Sequence, residues 1–280
     1  MKLTIMYYRG LGDALMLNAV LFELGKETGQ KVYLGTNVPA IYQGNPHLVM
    51  LPFTGSKYQH QIAVLLRTFK VVDEIRYVDY FHSGQQPSKH ILEILADEVS
   101  LETAPKTPAL FLNPKEIHKA RLPAKTKPWI AIQSTGLSEW TDNKNWGHQN
   151  MARVVQKLRN KFSFVQLGAA ADPALDVDLN LCGRVNVRQA VATLVSCQAL
   201  ICQVGFLMHA AAALQIPSVV IYGGFEAPWQ SGYAWNENLY NPVECSPCWL
   251  TTPCPYEKKC LQEITCDQVC EAVFRIFKNS

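Results

Sequence analysis

Short apolar runs alternate with longer segments of spaced apolar residues along the first part of the chain. The short runs are typical of buried strands, and the longer segments, in which apolar residues recur every three or four positions, are typical of helices. The pattern predicts strands at 2–8, 31–36, 74–78 and 109–112 and helices at 14–26, 58–69 and 90–99. This alternation indicates a parallel sheet covered by helices.

The periodicity stops in the segment NPKEIHKARLPAKTKP, residues 113–128, which gathers charge and proline. Such a composition is typical of a solvated connection between domains. We therefore divide the chain into a first domain, 1–113, a linker, 114–128, and a second domain, 129–280.

The second domain repeats the alternation of strand and helix. The pattern predicts strands at 129–134 and 162–167 and helices after Trp146, over 187–196 and over 265–277. Asn186 and Gln189 have the spacing of a capping box, in which two side chains satisfy the free N–H groups that open a helix.

The stretch 199–224 predicts one complete βαβ unit, in which a short apolar strand, a glycine turn, an alanine-rich helix and a β-branched strand follow one another. Such a unit places the helix N-terminus, here after Gly205, at the carboxyl edge of the sheet, where its N–H groups and dipole favour a phosphate. His209 lies in the first turn of this helix. Two interpretations stay open for it: a phosphate-site residue, or a buried histidine with its hydrogen bonds satisfied.

Composition and charge exclude some classes of protein. The 280 residues are 48% hydrophobic and 18% charged, as expected for a core-forming globule. A net charge of +3, from 26 basic and 23 acidic residues, falls short of the strongly basic profile of nucleic-acid binders. No apolar run approaches the roughly 20 residues of a membrane span, and Arg9 and Asp13 come too early for a signal peptide. We expect a cytoplasmic protein without a nucleic-acid partner, and peripheral association with a membrane stays open.

The loop that follows the first strand ends in Gly12-Asp13, directly before the first predicted helix. An Asp at this position is expected to act as the N-cap, because its carboxylate accepts hydrogen bonds from N–H groups of the first turn. A catalytic carboxylate is the alternative.

Three motifs, taken in order, resemble glycosyltransferase family 9, the heptosyltransferases of bacterial lipopolysaccharide and related acceptors. Gly12-Asp13 resembles the N-terminal Gly-Asp loop of the family, and Lys144-Asn145-Trp146 resembles its Lys-x-Trp motif. The segment from Met208 to Gly223 resembles its donor site of strand, helix and strand. The resemblance implies an α/β fold of the GT-B kind, with two Rossmann-like domains facing a cleft, the first for the acceptor and the second for the nucleotide-sugar donor.

The resemblance also implies a reaction and roles for single residues. The enzyme would move a heptose or related sugar from a nucleotide diphosphate, ADP-heptose above all, to a cell-surface glycan or protein, with inversion and without a metal. Lys144 would neutralise the leaving diphosphate, and Asp13 would act as general base for the attacking hydroxyl. The residues expected to bind the donor are Gly12, Ser134, Thr135, Gly136, Gly205, Phe206, Met208, His209 and Gly223.

One departure from the family keeps a second interpretation open. Many members have an Asp-x-Gly turn before the donor helix, whereas this chain has Gln203-Val204-Gly205 and no carboxylate. Gln203 or Glu226 could replace the acid, although Glu226 is equally well interpreted as a surface loop residue. The alternative function is therefore a catalytically idle protein that binds a nucleotide-sugar or a partner.

Six of the nine cysteines crowd the C-terminal part of the chain. Cys245, Cys248, Cys254 and Cys260 have spacings that could close a tetrahedral thiolate site for zinc or iron. The autotransporter-modifying heptosyltransferases, relatives of the family, carry an iron-binding cysteine motif in this part of the chain. A structural metal is the prediction, and simple packing of thiols is its alternative.

Overall fold

The computed structural model describes residues 2–52, 56–81, 85–135 and 141–279. The chain divides into two compact units, 1–111 and 112–280. Each unit is built on its own parallel sheet.

The first unit contains a four-stranded sheet with strand order β3-β2-β1-β4, and every pair is parallel. Its strands are β1 (Leu3–Tyr7), β2 (Val32–Thr36), β3 (Leu48–Met50) and β4 (Glu74–Tyr77). Its helices are α1 (Leu11–Thr28), α2 (Pro39–Tyr42), α3 (Ser56–Thr68) and α4 (Ile91–Glu98). The central strand β1 is buried at all five positions, as expected for a strand with neighbours on both edges and helices on both faces.

The predicted strand at 109–112 is wrong, because this segment packs along α1 and not at a sheet edge. The amide of Ala109 donates to the carbonyl of Leu15 at 3.3 Å, and the buried Asn18 donates to the carbonyl of Ala109 at 2.9 Å. Side-chain and main-chain groups of a helix thus take the hydrogen bonds that a strand neighbour would have used. The prediction also missed α2 and β3, which are too short to show a period.

The second unit contains a six-stranded parallel sheet with strand order β10-β9-β8-β5-β6-β7. Its strands are β5 (Trp129–Ile132), β6 (Ser163–Gln166), β7 (Leu179–Asn180), β8 (Ala199–Gln203), β9 (Ser218–Ile221) and β10 (Glu237–Leu239). Its helices are α5 (Pro114–Lys119), α6 (His148–Leu158), α7 (Val187–Leu194), α8 (Phe206–Ala213), α9 (Pro228–Ser231), α10 (Lys259–Gln262) and α11 (Cys266–Asn279). The predicted fold class, α/β with two parallel sheets, is confirmed.

The predicted linker contains a short helix, α5, and is therefore not a featureless connection. A capping box between Asn113 and Glu116 opens this helix, since each side chain accepts a hydrogen bond from the other residue's amide, at 3.0 and 2.9 Å. The carboxylate of Glu116 also accepts two hydrogen bonds from the guanidinium of Arg188 on α7. These contacts attach α5 to the second unit.

The sheet order of the second unit determines which loops meet. β9, β8 and β5 are adjacent and parallel, with Leu200 opposite Ser218 and Ile130 opposite Ala199. Their carboxyl ends therefore lie side by side at one edge of the sheet. The loops after these three strands carry most of the residues that the sequence assigns to a donor site.

Candidate functional site

Lys144 and Glu226 form a buried ion pair in the second unit. The ammonium of Lys144 donates to the carboxylate of Glu226, and the two side chains are 16% and 4% exposed. The same nitrogen lies 4.7 Å from the ring centroid of Phe225, in a cation–π contact. The interpretation of Glu226 as a surface residue is therefore wrong, because Glu226 compensates the charge of Lys144.

Gln203, one of the two residues that could replace the absent carboxylate, is fully buried at the end of β8. Its side-chain oxygen accepts a hydrogen bond from the amide of Trp146 at 2.6 Å, and the indole N–H of Trp146 donates to the carbonyl of Ile264 at 3.0 Å. Within the described ranges the side-chain nitrogen of Gln203 has no hydrogen-bond partner. Gln203 thus fixes the loop that carries Lys144, and its side-chain N–H groups can donate to a further group.

The first two hydroxyl residues after β5, Ser134 and Thr135, form hydrogen bonds within the protein. The hydroxyl of the buried Ser134 accepts from Gln166 at 2.9 Å, and the hydroxyl of Thr135 donates to Asp172 at 2.9 Å. Of these two side chains, Ser134 still has a hydroxyl proton that it can donate. Gly136, the third predicted donor-binding residue of this loop, lies outside the described residues.

The N-terminus of α8 begins at Gly205, whose φ of +155° and ψ of −158° favour glycine. Among the described residues, apart from the two chain neighbours of Gly205, no atom lies within 4 Å of the place where a Cβ would stand. Gly205 and Phe206 are half-buried, and no side chain from the described residues caps the helix. The first N–H groups of α8 are therefore free to meet an anion.

Two predicted donor-site residues of α8 have side chains that serve the core. Met208 is fully buried, with its sulfur 3.3 Å from the hydroxyl of Tyr222. His209 is 4% exposed, and its Nδ1 lies 2.7 Å from the hydroxyl of Tyr233. Of the two interpretations, the geometry supports a histidine whose hydrogen bonds are satisfied. Any contact of these residues with a ligand would come from the main chain.

Gly223 and Gly224 follow β9, and the packing around them requires glycine. At φ +59°, a Cβ on Gly223 would stand 2.5 Å from the side chain of Leu261. A Cβ on Gly224 would stand 2.3 Å from the hydroxyl of Ser246. The C-terminal segment therefore lies directly against the loop that leads to Glu226.

Hydrogen bonds attach the same segment to the loops that carry the two residues of the ion pair. The amides of Cys248 and Trp249 donate to the carbonyls of Gly224 and Phe225, both at 2.9 Å. On the Lys144 side, Asn143 donates to the carbonyls of Leu250 and Thr252 at 2.6 and 2.8 Å. The cysteine-rich segment therefore holds the loops of Lys144 and Glu226 together.

The four thiols of the predicted metal site are neighbours without forming a set of ligands. Burial raises the pKa of Cys248, with Cys245 and Cys254 adding to the shift, and burial raises that of Cys260, with Cys248 and Cys254 adding. Cys245 is exposed, however, while Cys260 is buried. No group of three His, Cys, Asp or Glu side chains in the described part of the chain is placed to hold a metal ion. This geometry does not support the predicted zinc or iron site.

Asp13 lies in the first unit, in the first turn of α1, and is half-buried. Its predicted role as N-cap is wrong, because α1 begins at Leu11, two residues before Asp13, and Gly10 is the N-cap. The carboxylate of Asp13 is thus not needed to start the helix, although the helix dipole favours its charge. Gly12, the other predicted residue of this loop, is the second residue of α1 and is also half-buried.

Two buried tyrosines, Tyr7 on β1 and Tyr42 on α2, lie near the charge of Asp13. Burial raises the pKa of both phenols well above the usual value, and the Asp13 carboxylate adds to the shift. Neither hydroxyl has a hydrogen-bond partner among the residues that the structure describes. Asp13 therefore lies beside neutral, weakly solvated phenols.

Sequence reasoning missed three charged groups at the carboxyl edges of the two sheets. Arg9 and Asp79, after β1 and β4, form an ion pair in the first unit. In the second unit Asp172 receives the hydroxyl of Thr135 and the amide of Ala169 at 2.9 Å each. Their positions in the sequence could have indicated them. Arg9 and Asp79 each lie two residues after the end of a strand, and Asp172 lies in the loop after β6.

Comparison with known proteins gives the family. The model of glycosyltransferase family 9 (heptosyltransferase) matches residues 82–259. The chain belongs to this family. Lipopolysaccharide heptosyltransferase 2 of Salmonella typhimurium is 30% identical over 100 residues, which are 31% of this chain. The match spans 29% of the length of that relative.

Solved structures of family members share the fold over nearly the whole chain. ADP-heptose lps heptosyltransferase II of E. coli superposes with a TM-score of 0.75 at 17% identity, covering 100% of this chain and 99% of that protein. The iron-containing, dodecameric heptosyltransferase TibC, in complex with ADP-D-beta-D-heptose, gives a TM-score of 0.75 at 14% identity and covers 99% and 76%. These likenesses show the GT-B fold of the family 9 chain.

One further observation concerns membranes. In the described ranges, no helix is both long enough and apolar enough to cross a bilayer.

Proposed function

We propose that this family 9 chain is a glycosyltransferase that moves a heptose or a related sugar from a nucleotide diphosphate, with ADP-heptose the first candidate. The observation that carries the proposal is the position of Lys144. Its ammonium is held against Glu226 and Phe225 in the unit whose open helix N-terminus, at α8, suits an anion. We assign this unit to the donor and the first unit to the acceptor.

The chemistry assigned to the site is a displacement at the anomeric carbon. An acceptor hydroxyl forms the new bond, the bond to the diphosphate breaks with its electrons, and the hydroxyl proton goes to Asp13 as general base. Lys144 and the N–H groups of α8 stabilise the negative charge that develops on the leaving diphosphate. A single direct displacement inverts the anomeric centre, and these groups supply the charge stabilisation without a metal ion.

Glu226 has a defined part in this scheme. In a mostly buried place an ammonium is costly unless a carboxylate compensates it, so Glu226 offsets that cost and holds Lys144 in position. A diphosphate brings negative oxygens that compete for the same ammonium. Glu226 is therefore a positioning residue and does not itself touch the reacting atoms.

The acceptor is proposed to be a cell-surface glycan or a protein. Lipopolysaccharide comes first, because it is the acceptor named for the Salmonella relative. The proposed place of the reaction is the cytoplasm, and subcellular fractionation tests it.

A binding protein of the same fold is the second candidate, and Gln203 favours it. The amide at this position is neutral and has unpartnered N–H donors where many family members have a carboxylate, so a charged acceptor for the transferred sugar is lost. Such a protein would bind a nucleotide-sugar without breaking it.

Release of the nucleoside diphosphate separates the two candidates. Purified protein is incubated with ADP-heptose, and in parallel with other nucleotide-sugars, in the presence and absence of a heptose-deficient lipopolysaccharide. The proposal predicts ADP release that depends on the acceptor and is lost in Asp13→Asn. Saturable binding of the nucleotide-sugar without release, with every acceptor tried, would instead identify the binding protein.

A further inference from the structure

A cavity of about 900 Å³ lies in the second unit, between the segment 114–129 and the turn that joins α7 to β8. All of its described lining residues belong to this unit. Sites for small molecules in proteins have volumes of about 300–1,000 Å³. The cavity is therefore large enough for a small organic ligand.

The cavity lies at the edge of the sheet opposite to the proposed donor site. β5 begins at Trp129 and β8 at Ala199, and these two strands are adjacent and parallel. The lining residues Trp129 and Gln198 therefore mark the amino ends of the strands. β8 has five residues and is roughly 16 Å long. A donor bound near Lys144 would lie at the far end of these strands and would not occupy the cavity.

The ionisable side chains of the lining are all basic. They belong to His118, Arg121, Lys125 and Lys127, and none of the described lining residues is Asp or Glu. Lys125 is paired with Asp178, and the ammonium of Lys127 donates to the carbonyl of Arg159 at 2.9 Å. The guanidinium of Arg121 has no hydrogen-bond or ion-pair partner among the residues that the structure describes. Arg121 therefore supplies an uncompensated positive charge at the cavity.

Two neutral side chains of the lining use their oxygens within the protein and keep their donors. The hydroxyl of Ser196 accepts from the amide of Leu122 at 3.2 Å. The side-chain oxygen of Gln198 accepts from the amide of Trp129 at 2.8 Å. The hydroxyl proton of Ser196 and the side-chain N–H groups of Gln198 can still donate. The polar part of the cavity thus offers positive charge and hydrogen-bond donors.

Apolar side chains form the rest of the lining. They are Pro114, Ile117, Leu122, Pro123, Trp129 and Val195. The ring of Trp129 is fixed by its indole N–H, which donates to the carbonyl of Pro123 at 2.9 Å, and by the ammonium of Lys125, 5.0 Å from the ring centroid. Val195 is 43% exposed. An apolar lining with a few polar groups is typical of sites that bind small organic molecules.

We propose that this cavity binds a small organic phosphate. The phosphate accepts hydrogen bonds from Arg121, Lys127 and Gln198, and the organic part lies against the apolar lining. A guanidinium suits this role, because its planar N–H groups can donate two parallel hydrogen bonds to a phosphate. The three outer oxygens of a phosphate monoester can use more of these donors than the two oxygens of a carboxylate. The inference goes beyond the proposed function, because it concerns a second ligand site and not the transfer of a sugar.

Isothermal titration calorimetry tests the proposal on the full chain, without donor or acceptor. The probe is phenyl phosphate, and benzoate and benzyl alcohol are the matched compounds with a carboxylate and without charge. The cavity variant is Arg121→Gln with Lys127→Gln. The control variant is Lys115→Gln with Lys119→Gln, which removes the same charge from two exposed residues of the same segment that do not line the cavity.

We expect the unchanged protein to bind one phenyl phosphate at the cavity. The cavity variant should bind it at least tenfold more weakly, because two charged donors are lost, and the control variant should bind it with unchanged affinity. Benzoate and benzyl alcohol should bind the unchanged protein more weakly than phenyl phosphate does. Absence of saturable binding by the unchanged protein, or equal weakening in the cavity and control variants, would overturn the proposal.

An anionic probe has a second place to bind, the proposed donor site, and a third variant separates the two places. Lys144→Ala with Glu226→Gln removes the ammonium of that site and should leave binding at the cavity unchanged. Binding that this variant loses and the cavity variant keeps would overturn the proposal. Equally tight binding of benzoate would overturn the assignment to a phosphate. Because no sugar is transferred in this assay, its result is independent of the proposed activity.

Discussion

The charge of Lys144 is compensated by Glu226 before any ligand arrives, and this pairing decides how the residue can be tested. Removal of a buried partner leaves an uncompensated charge, which typically destabilises a protein by 3–5 kcal/mol, about as much as the whole stability of some domains. Lys144→Ala alone would therefore confuse loss of fold with loss of catalysis. The cleaner variant removes both charges.

We predict that Lys144→Ala lowers the free energy of unfolding by about 3–5 kcal/mol, because a buried carboxylate is left unpaired. Lys144→Ala combined with Glu226→Gln should recover most of that stability and still fail to transfer the sugar. Denaturant unfolding and a transfer assay on the same samples measure the two effects. The exposed pair of Lys157 and Asp267 provides the control, since Lys157→Ala should change stability by no more than about 1 kcal/mol. Transfer at the normal rate by the double variant would remove Lys144 from the mechanism.

Asp13 allows a test of catalysis that is nearly free of effects on folding. Because Gly10 caps α1, Asp13→Asn keeps the start of the helix, and the loss of the charge in its first turn should cost about 0.3–1 kcal/mol. Loss of a general base should lower the transfer rate by about 10²–10⁴ while donor binding is kept. Glu93→Gln, the same exchange in the first turn of α4, should leave the rate unchanged. Near-normal transfer by the Asn variant would assign Asp13 a structural role only.

At the scale of elements, short segments between the main helices and strands hold the second unit together. α5 is attached to α7 through Glu116 and Arg188, and the cysteine-rich segment joins the loops of Lys144 and Glu226. Neither segment has a core of its own. Hydrogen bonds to neighbouring elements contribute to their order, so single polar exchanges should loosen them.

The ion pair between α5 and α7 predicts a dependence of stability on pH. The hydrogen bonds from Arg188 lower the pKa of Glu116 to about 2 in the folded chain. The pair therefore stabilises the fold fully above the usual pKa of Glu, about 4.3, and its contribution is lost as the pH falls from there toward 2. Glu116→Gln should cost about 1.5–3 kcal/mol at neutral pH and much less near pH 2. Asp176→Asn, in an exposed pair with Arg159, is the control that should show little change. An equal cost of Glu116→Gln at both pH values would contradict the assignment.

The attachment of the cysteine-rich segment can be tested at Asn143. Asn143→Ala removes two hydrogen bonds to the carbonyls of Leu250 and Thr252, which should lower the free energy of unfolding by about 1–3 kcal/mol. Because Lys144 is the next residue, the donor KM should rise as well. Asn241→Ala, which removes an exposed hydrogen bond to Glu263, should leave both quantities unchanged. Unchanged proteolysis of the segment in the Asn143 variant would show that other contacts order it.

At the scale of the whole molecule, the sequence predicts those features that depend on residues close together in the chain. Short apolar runs indicate buried strands, and apolar residues that recur every three or four positions indicate helices. Their alternation in both halves of the chain indicates two parallel sheets. The motifs around Asp13 and Lys144 indicate the family, which the family model confirms.

Contacts between distant residues could not be predicted from the sequence. Glu226 stands 82 positions after Lys144, and no local signal announces that its carboxylate is buried against that ammonium. The segment 109–112 has the composition of a strand, yet α1 takes its hydrogen bonds. Regular cysteine spacing says nothing of the directions in which thiols point, so a metal site was predicted that the geometry does not support.

The central proposal is that this chain transfers a sugar, and the mass of the acceptor tests that proposal most directly. A heptose-deficient lipopolysaccharide is incubated with ADP-heptose and the purified chain, and the acceptor is then analysed by mass spectrometry. We predict that the mass of the acceptor increases by one heptose residue. This increase should be absent with Asp13→Asn and with the combined Lys144→Ala and Glu226→Gln variant. An unchanged acceptor mass under conditions in which the donor is bound, across lipopolysaccharide and protein acceptors, would contradict it.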